Sequence, residues 1–319
     1  MPVDRRSRDL PSTFDDENAQ RGCVVAAVIS RAETGARASP GFRNPYTVGV
    51  RWNRLIPRPL RSVAALVDGD VGRVLRRTVT LEFSEEEWAS IERAQRDIEF
   101  LQSREESIRV EHRGPATERM ERGMNEIAVG EWAKRCGVPP AYRLLLFALI
   151  REFKPRRCVE FGMAAGYSAL YAGHALRLNG SGVLHTVEGD AESFEVGARM
   201  LEPLASHVRP HRRDFEDFLG ELPRFAPLDL VLVDGAHGGD EEVRYAARMA
   251  EHLSLGALVI WDDIKWGPGM KRAWEVICRR PEVALSVDLG KQGLIQTGAG
   301  PARHYEPAEP DGNYGAARE

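Results

Sequence analysis

From Arg157 onward the chain repeats one pattern: a short apolar run rich in β-branched residues, then a longer stretch with apolar residues at helical spacing. Alternation of this kind builds βαβ units, and successive βαβ units build a parallel sheet. The runs predict strands at 158–161, 183–188, 208–212, 228–233 and 257–261. Helical spacing fills the intervals at 168–178, 191–204, 215–219 and 240–253, and a further helix opens at Pro268 and runs to about Arg279. Two last runs, 283–289 and 294–297, flank Gly290-Lys291-Gln292-Gly293, which reads as a hairpin turn and therefore as an antiparallel pair. The expected fold is α/β: a Rossmann-like, doubly wound, mostly parallel seven-stranded sheet with an antiparallel last pair. Ligands of such sheets sit outside the carboxyl ends of the strands.

Ahead of the sheet the pattern is weaker. Residues 1–45 mix charges, Pro, Gly and Ser with little apolar periodicity and read as disordered, apart from the short run Cys23–Ile29. Residues 46–83 alternate loosely around Pro57 and Pro59, which predicts short strands and turns. Ser84-Glu85-Glu86-Glu87 fits a capping box, and Ile91, Ala94, Ile98, Leu101 and Ile108 continue at three- and four-residue spacing, so a charged amphipathic helix should run to about Val110. Its narrow stripe suits packing inside the chain or a homodimer seam. Further helices are expected at 118–136 and 140–153. The organisation read from this is a segment 1–45, a mixed α/β accessory, cap or dimerisation region 46–136, a cofactor-binding domain 137–300 and a tail 301–319; 319 residues, 43% of them hydrophobic, suffice for one large core with a smaller attached unit.

Composition removes several classes of function. The longest purely apolar run, Leu144–Ile150, has seven residues, against roughly 20 for a membrane span. A cytoplasmic protein with no membrane contact is expected. Cys23, Cys136, Cys158 and Cys278 form no CxxC and read as reduced thiols. Net charge is −4, so no global field recruits polyanions. Arg51, Arg54, Arg58, Arg61, Arg73, Arg76 and Arg77 do cluster around Trp52 and could follow phosphates, but no Asn/Asp-Pro-Pro-Tyr motif follows the fourth strand, so nucleic acid is only the alternative acceptor. The imbalance of 39 Arg to 5 Lys reads as coding bias.

The first chemical signal is Val159-Glu160-Phe161-Gly162-Met163-Ala164-Ala165-Gly166-Tyr167-Ser168: an acid at a strand end, two glycines, then a helix start. Glycine there permits a tight turn and close approach of a ligand to backbone. The next strand ends in Glu188, where a carboxylate can accept hydrogen bonds from both ribose hydroxyls. Asp214 and Phe215 follow the third strand and suit an adenine amine and ring face. A nicotinamide enzyme shares this layout, but three residues separate Gly162 from Gly166 and position 164 is Ala, so GxGxxG is missing. Glu160 would repel a pyrophosphate yet could bind a cation-bearing amino acid. The combination points to S-adenosylmethionine.

Glu-x-Gly-x-x-x-Gly-Tyr-Ser at 160–168 followed by Glu188 resembles the class I S-adenosylmethionine-dependent methyltransferases, particularly the metal-dependent small-molecule O-methyltransferases of the catechol and caffeoyl-CoA type, over roughly residues 138–275. The resemblance implies that Glu160, the turn from Gly162 to Gly166, Tyr167 and Ser168 hold the methionine part, Glu188 the ribose, and Asp214 and Phe215 the adenine.

The second signal is acidic. Asp234 ends the fourth strand, and Asp262 and Asp263 end the fifth. Adjacent strand ends lie about 4.8 Å apart, so these carboxylates can converge and would need a counter-charge. All-oxygen donors favour Mg²⁺ or a similar hard divalent ion. In the resembling family these positions bind a divalent metal as Asp, Asp and Asn; Asp263 replaces the Asn here. His237 stands where that family carries a lysine acting as general base, and could take the proton of an acceptor hydroxyl. Blander roles stand beside these: Asp234 as a helix cap, Asp262 and Asp263 as solvated strand ends, His237 as an ordinary helix-start residue. Trp266 could wall the acceptor. The function expected is Mg²⁺-assisted methyl transfer from S-adenosylmethionine to a hydroxyl of a small specialised metabolite. A hydroxylase or non-catalytic partner with the same acids is the other alternative.

Overall fold

The computed structural model describes residues 52–112, 123–235 and 237–307. The expectations for 1–45 lie outside the described residues. The segment read as strands and turns is helical instead: α1 is Trp52–Leu55, α2 Arg58–Ala64 and α3 Gly69–Thr80. What looked like loose alternation is a helical face, since Val71, Val74, Leu75 and Thr78 are all buried at three- and four-residue spacing. Pro59 sits in the first turn of α2, where its missing N–H costs nothing. Three arginines of the basic patch are engaged within the chain. Arg73 pairs with Asp70 and Glu152, Arg76 donates to the Val67 carbonyl at 2.8 Å, and Arg61 donates to the Ile56 carbonyl at 3.2 Å.

Helix α4, Glu85–Gln102, carries the expected capping box: Glu87 N donates to Ser84 Oγ at 3.2 Å and Ser84 N donates to Glu87 Oε2 at 2.9 Å. The helix ends eight residues before Val110, because Ser107–His112 alternates and forms strand β1. Its stripe of Trp88, Ile91, Ala94, Ile98 and Leu101 is buried within the chain. The helix expected at 118–136 is a strand and a short helix: β2, Gly123–Ala128, pairs antiparallel with β1 through Ile108↔Ile127, and α5 follows at Val129–Arg135.

Helix α6, Pro140–Phe153, buries every residue from Ala141 to Ile150 and leads into the sheet. The strands are β3 Arg157–Phe161, β4 Val183–Glu188, β5 Val208–Arg212, β6 Leu228–Val233, β7 Leu253–Trp261, β8 Val283–Asp288, β9 Gly293–Thr297 and β10 Arg303–Tyr305. Helices α7 (Tyr167–Asn179), α8 (Ala191–Leu201), α9 (Phe215–Glu221), α10 (Asp240–Met249) and α11 (Pro268–Ile277) alternate with them. Strand order is β10-β8-β9-β7-β6-β3-β4-β5, with β9 antiparallel to both neighbours. The sheet thus has eight strands rather than seven, because part of the expected tail, Arg303–Tyr305, adds to β8 in parallel. Both faces are covered: Cys158 belongs to the core beneath α6 and α7, while Val159 and Phe161 join the opposite core with Phe218, Tyr245 and Trp274. The chain turns back across β3, with β4 on one side and β6 on the other, and this switch point opens the crevice at the strand ends.

Glu87 ties three elements together, pairing with Arg77 of α3 and, at 3.0 Å, with Arg151 of α6. Burial alone would raise its carboxyl, but the hydrogen bonds from Arg77, the Ser84 N–H and Arg151 outweigh it and hold Glu87 below its ordinary value. Its contribution to stability is therefore present above the unfolded pKa and lost as pH falls through the lower folded one. Glu87→Gln, which leaves two cations unpaired, should cost about 3 kcal/mol in denaturant unfolding at pH 7 and less at pH 4; a loss independent of pH would contradict this.

Candidate functional site

The strand register puts Phe161, Val187, Val233 and Trp261 in one row across β4-β3-β6-β7. The residues one step beyond that row are Glu188, Gly162, Asp234 and Asp262, so the sequence-predicted acids stand side by side by construction. Backbone hydrogen bonds extend past the strands to hold them: Asp234 N donates to the Phe161 carbonyl at 2.8 Å, Asp262 N to the Val233 carbonyl at 2.9 Å, and Gly162 N to the Val187 carbonyl at 3.1 Å. Gly162 has φ +103°, and a Cβ there would lie 1.8 Å from the Asp234 carbonyl oxygen. Only glycine permits this approach of the two loops.

On the cofactor side, Glu188 takes Ala164 N–H on Oε2 and Asp190 N–H on Oε1, both at 2.9 Å. Burial raises its carboxyl above the ordinary value. Each oxygen keeps a further lone pair, so the half-buried carboxylate fits a ribose diol. Gly166, at φ +76°, opens α7. Phe215 packs edge-on to Phe161 with ring centroids 5.5 Å apart, and Asp214 stands at the N-terminus of α9. Glu160 and Ser168 are used differently from a ligand-facing pair: the fully buried Glu160 carboxyl is hydrogen-bonded by the Ser168 and Thr186 hydroxyls, beneath the glycine turn. Tyr167 is buried, with the Arg143 guanidinium over its ring at 5.3 Å.

The acid cluster is divided by a cation. The Lys291 ammonium, from the β8–β9 turn, pairs with Asp262 and, at 2.7 Å, with Asp263 Oδ1. Burial works against its charge, yet Asp262, Asp263 and Asp234 hold it well above its ordinary pKa. Burial likewise opposes ionisation of Asp262, but Lys291 wins and lowers that carboxyl; burial and the Asp262 charge push Asp234 and Asp263 up. His237 Nε2 lies 3.8 Å from Asp234 Oδ1 and 4.0 Å from Asp263 Oδ2. Glu242, buried at the start of α10, fixes the turn by accepting His237 N–H and Gly239 N–H at 2.6 Å each. The half-exposed Trp266 ring lies 6.0 Å from the His237 ring.

Among the described residues, the donors that gather within metal-ligating reach are Asp234, His237 and Asp263, all within 4.8 Å of one another. The set Asp234, Asp262 and Asp263 does not fit a dication as it stands, because Lys291 already occupies Asp262 and one oxygen of Asp263. A hard ion needs donors about 3 Å apart around bonds of about 2.1 Å. A dication on these carboxylates would also repel the Lys291 ammonium that they already hold. The two cations compete for the same carboxylates.

Residues 159–264 match the family described as a methyltransferase domain. The chain is similar to a caffeoyl-CoA O-methyltransferase of Stellaria longipes, 25% identical over 137 residues, which are 41% of this chain and 55% of the relative. The chain thus spans about half the length of that curated relative. Among solved structures, an O-methyltransferase from Streptomyces achromogenes involved in tomaymycin synthesis, in complex with S-adenosylmethionine, is 25% identical and covers 51% of this chain and 82% of its own, with a TM-score of 0.44. An O-methyltransferase from Bacillus cereus in complex with S-adenosylhomocysteine is 20% identical, covers 50% and 81%, and has a TM-score of 0.43.

Two features of the site escape a reading of strand-end motifs. Glu242 lies five residues after His237 and looks like an ordinary first-turn acid of a helix. Lys291 sits in what reads only as a hairpin turn, yet it is one of just 5 Lys in a chain with 39 Arg.

Burial pushes the Glu160 carboxyl up to about 7 against the Ser168 and Thr186 hydroxyls. The folded chain therefore holds this proton more tightly than the unfolded one, and the stability so gained is full below the unfolded pKa and lost as pH rises through the folded one. Glu160→Gln removes that loss, so thermal melting should favour the variant increasingly between pH 5 and pH 8, by up to about 3 kcal/mol. A difference between variant and wild type that stays constant over this range would refute the assignment.

Proposed function

We propose that the chain transfers the methyl group of S-adenosylmethionine to a hydroxyl of a small metabolite. The observation that carries this is the row Glu188, Gly162, Asp234, Asp262 at adjacent strand ends, which puts a carboxylate suited to a ribose beside a glycine turn and, next to it, an acid cluster with a histidine. The match of residues 159–264 to a methyltransferase domain supports it. When bound, S-adenosylmethionine supplies an electrophilic methyl on a positively charged sulfur.

The chain's own residues do the rest. Glu188, oriented by Ala164 N–H and Asp190 N–H, holds the nucleoside. Gly162 and Gly166, both at positive φ, shape the turn on which the ligand rests. His237 takes the acceptor proton at Nε2, where Asp234 and Asp263 stabilise the imidazolium that forms. Trp266, partly exposed beside that ring, gives an apolar wall for the acceptor. Most of the rate gain then comes from holding the acceptor oxygen in line with the methyl.

Glu188→Ala should weaken S-adenosylmethionine binding more than about tenfold in calorimetry, by removing charge-assisted hydrogen bonds; unchanged affinity would remove Glu188 from the ribose. His237→Ala should lower turnover by roughly 10²–10⁴ with cofactor affinity retained. Full turnover in that variant would exclude the base role.

A further inference from the structure

The β8–β9 turn delivers a cation into the acid cluster, and each part of the delivery is fastened. Tyr142 of α6 donates its hydroxyl to the Leu289 carbonyl at 2.8 Å and accepts Lys291 N–H at 3.2 Å. Asp288 accepts Gly290 N–H at 2.7 Å and pairs with Lys265 at 2.9 Å. Ile264 N, next to Asp263, donates to the Lys291 carbonyl at 3.0 Å, and Leu289 N closes the turn on the Gln292 carbonyl at 2.8 Å. The backbone of Lys291 is thereby pinned to α6 and to the end of β7, and its ammonium joins Asp262 to Asp263.

We propose that Lys291 holds the place of a divalent cation, so that the site neutralises its own carboxylates and works without a metal. A bridge between Asp262 and Asp263 is what a bound dication would make. The ammonium makes it from within the chain, tethered and always present, so an ion from solution that is to use Asp262 must displace a buried pair. His237 and Asp234 are then left as a separate pair, free for proton transfer. The purpose of this arrangement rests on the methyl-transfer reading; its test does not.

The full-length protein, with and without S-adenosylmethionine, is titrated with Mn²⁺ and free Mn²⁺ is followed by electron paramagnetic resonance, for wild type, Lys291→Arg and Lys291→Met. Wild type and Lys291→Arg should take up no stoichiometric Mn²⁺ in the micromolar range. Lys291→Met vacates the bridge between carboxylates and should gain Mn²⁺ affinity by at least about tenfold, with a melting temperature that Mn²⁺ raises in this variant alone. Stoichiometric micromolar binding by wild type overturns the proposal, and so does a folded Lys291→Met with no gain. Should Lys291→Met not fold, the wild-type and Lys291→Arg titrations decide. Cofactor binding measured on the same wild-type sample separates the two readings: Mn²⁺ exclusion without S-adenosylmethionine binding would sink the function and leave the lysine assignment standing.

Discussion

Hydrogen bonds that run one residue past the ends of four neighbouring strands set everything else in this site. They carry Asp234 onto Phe161 and Asp262 onto Val233, and they tie Gly162 to Val187. Because parallel strands share one direction, a single step beyond the last ladder pair brings side chains from segments far apart in sequence to one edge. The arrangement requires a residue without Cβ at 162, where the Asp234 carbonyl comes closer than any side chain allows. The glycine that shapes the cofactor turn is therefore the same one that lets the acid loop close on it.

Charge then has to be settled at that edge. Three aspartates gathered in a low-dielectric crevice cannot all stay ionised unaided. The chain resolves this unequally: Lys291 keeps Asp262 charged, while burial and the Asp262 charge raise Asp234 and Asp263. A site with carboxyls of unequal proton affinity around an imidazole is suited to moving a proton, which is what methyl transfer to a hydroxyl demands. On the opposite side Glu160 is buried beneath the turn, held by the Ser168 hydroxyl, while the half-buried Glu188 accepts the Ala164 N–H.

The sheet was legible because its signals are local. Strands 183–188, 208–212 and 228–233 stand as their apolar runs imply, and the glycine turn and strand-end acids follow from position alone. The region before the sheet was not, for a physical reason: helix α3 shows only a narrow buried face between arginines, and with Val63 to Val67 and Thr78 to Phe83 on either side it reads as alternation. The β1–β2 hairpin hid behind residues that also fit a helical period, and its pairing is long-range information. Lys291 was hidden for the same reason. Nothing near it in sequence says that the turn beyond β8 reaches into the ends of β7.

The central claim is that this strand-end edge holds a sulfonium nucleoside beside a carboxylate cluster that is already neutralised. Isothermal titration of the full-length chain in the presence of a metal chelator, with S-adenosylmethionine in one experiment and NAD in another, tests it most directly. One equivalent of S-adenosylmethionine should bind per chain, with no heat from NAD. Binding of NAD in its place, or binding of S-adenosylmethionine only after divalent ions are restored, would contradict the claim.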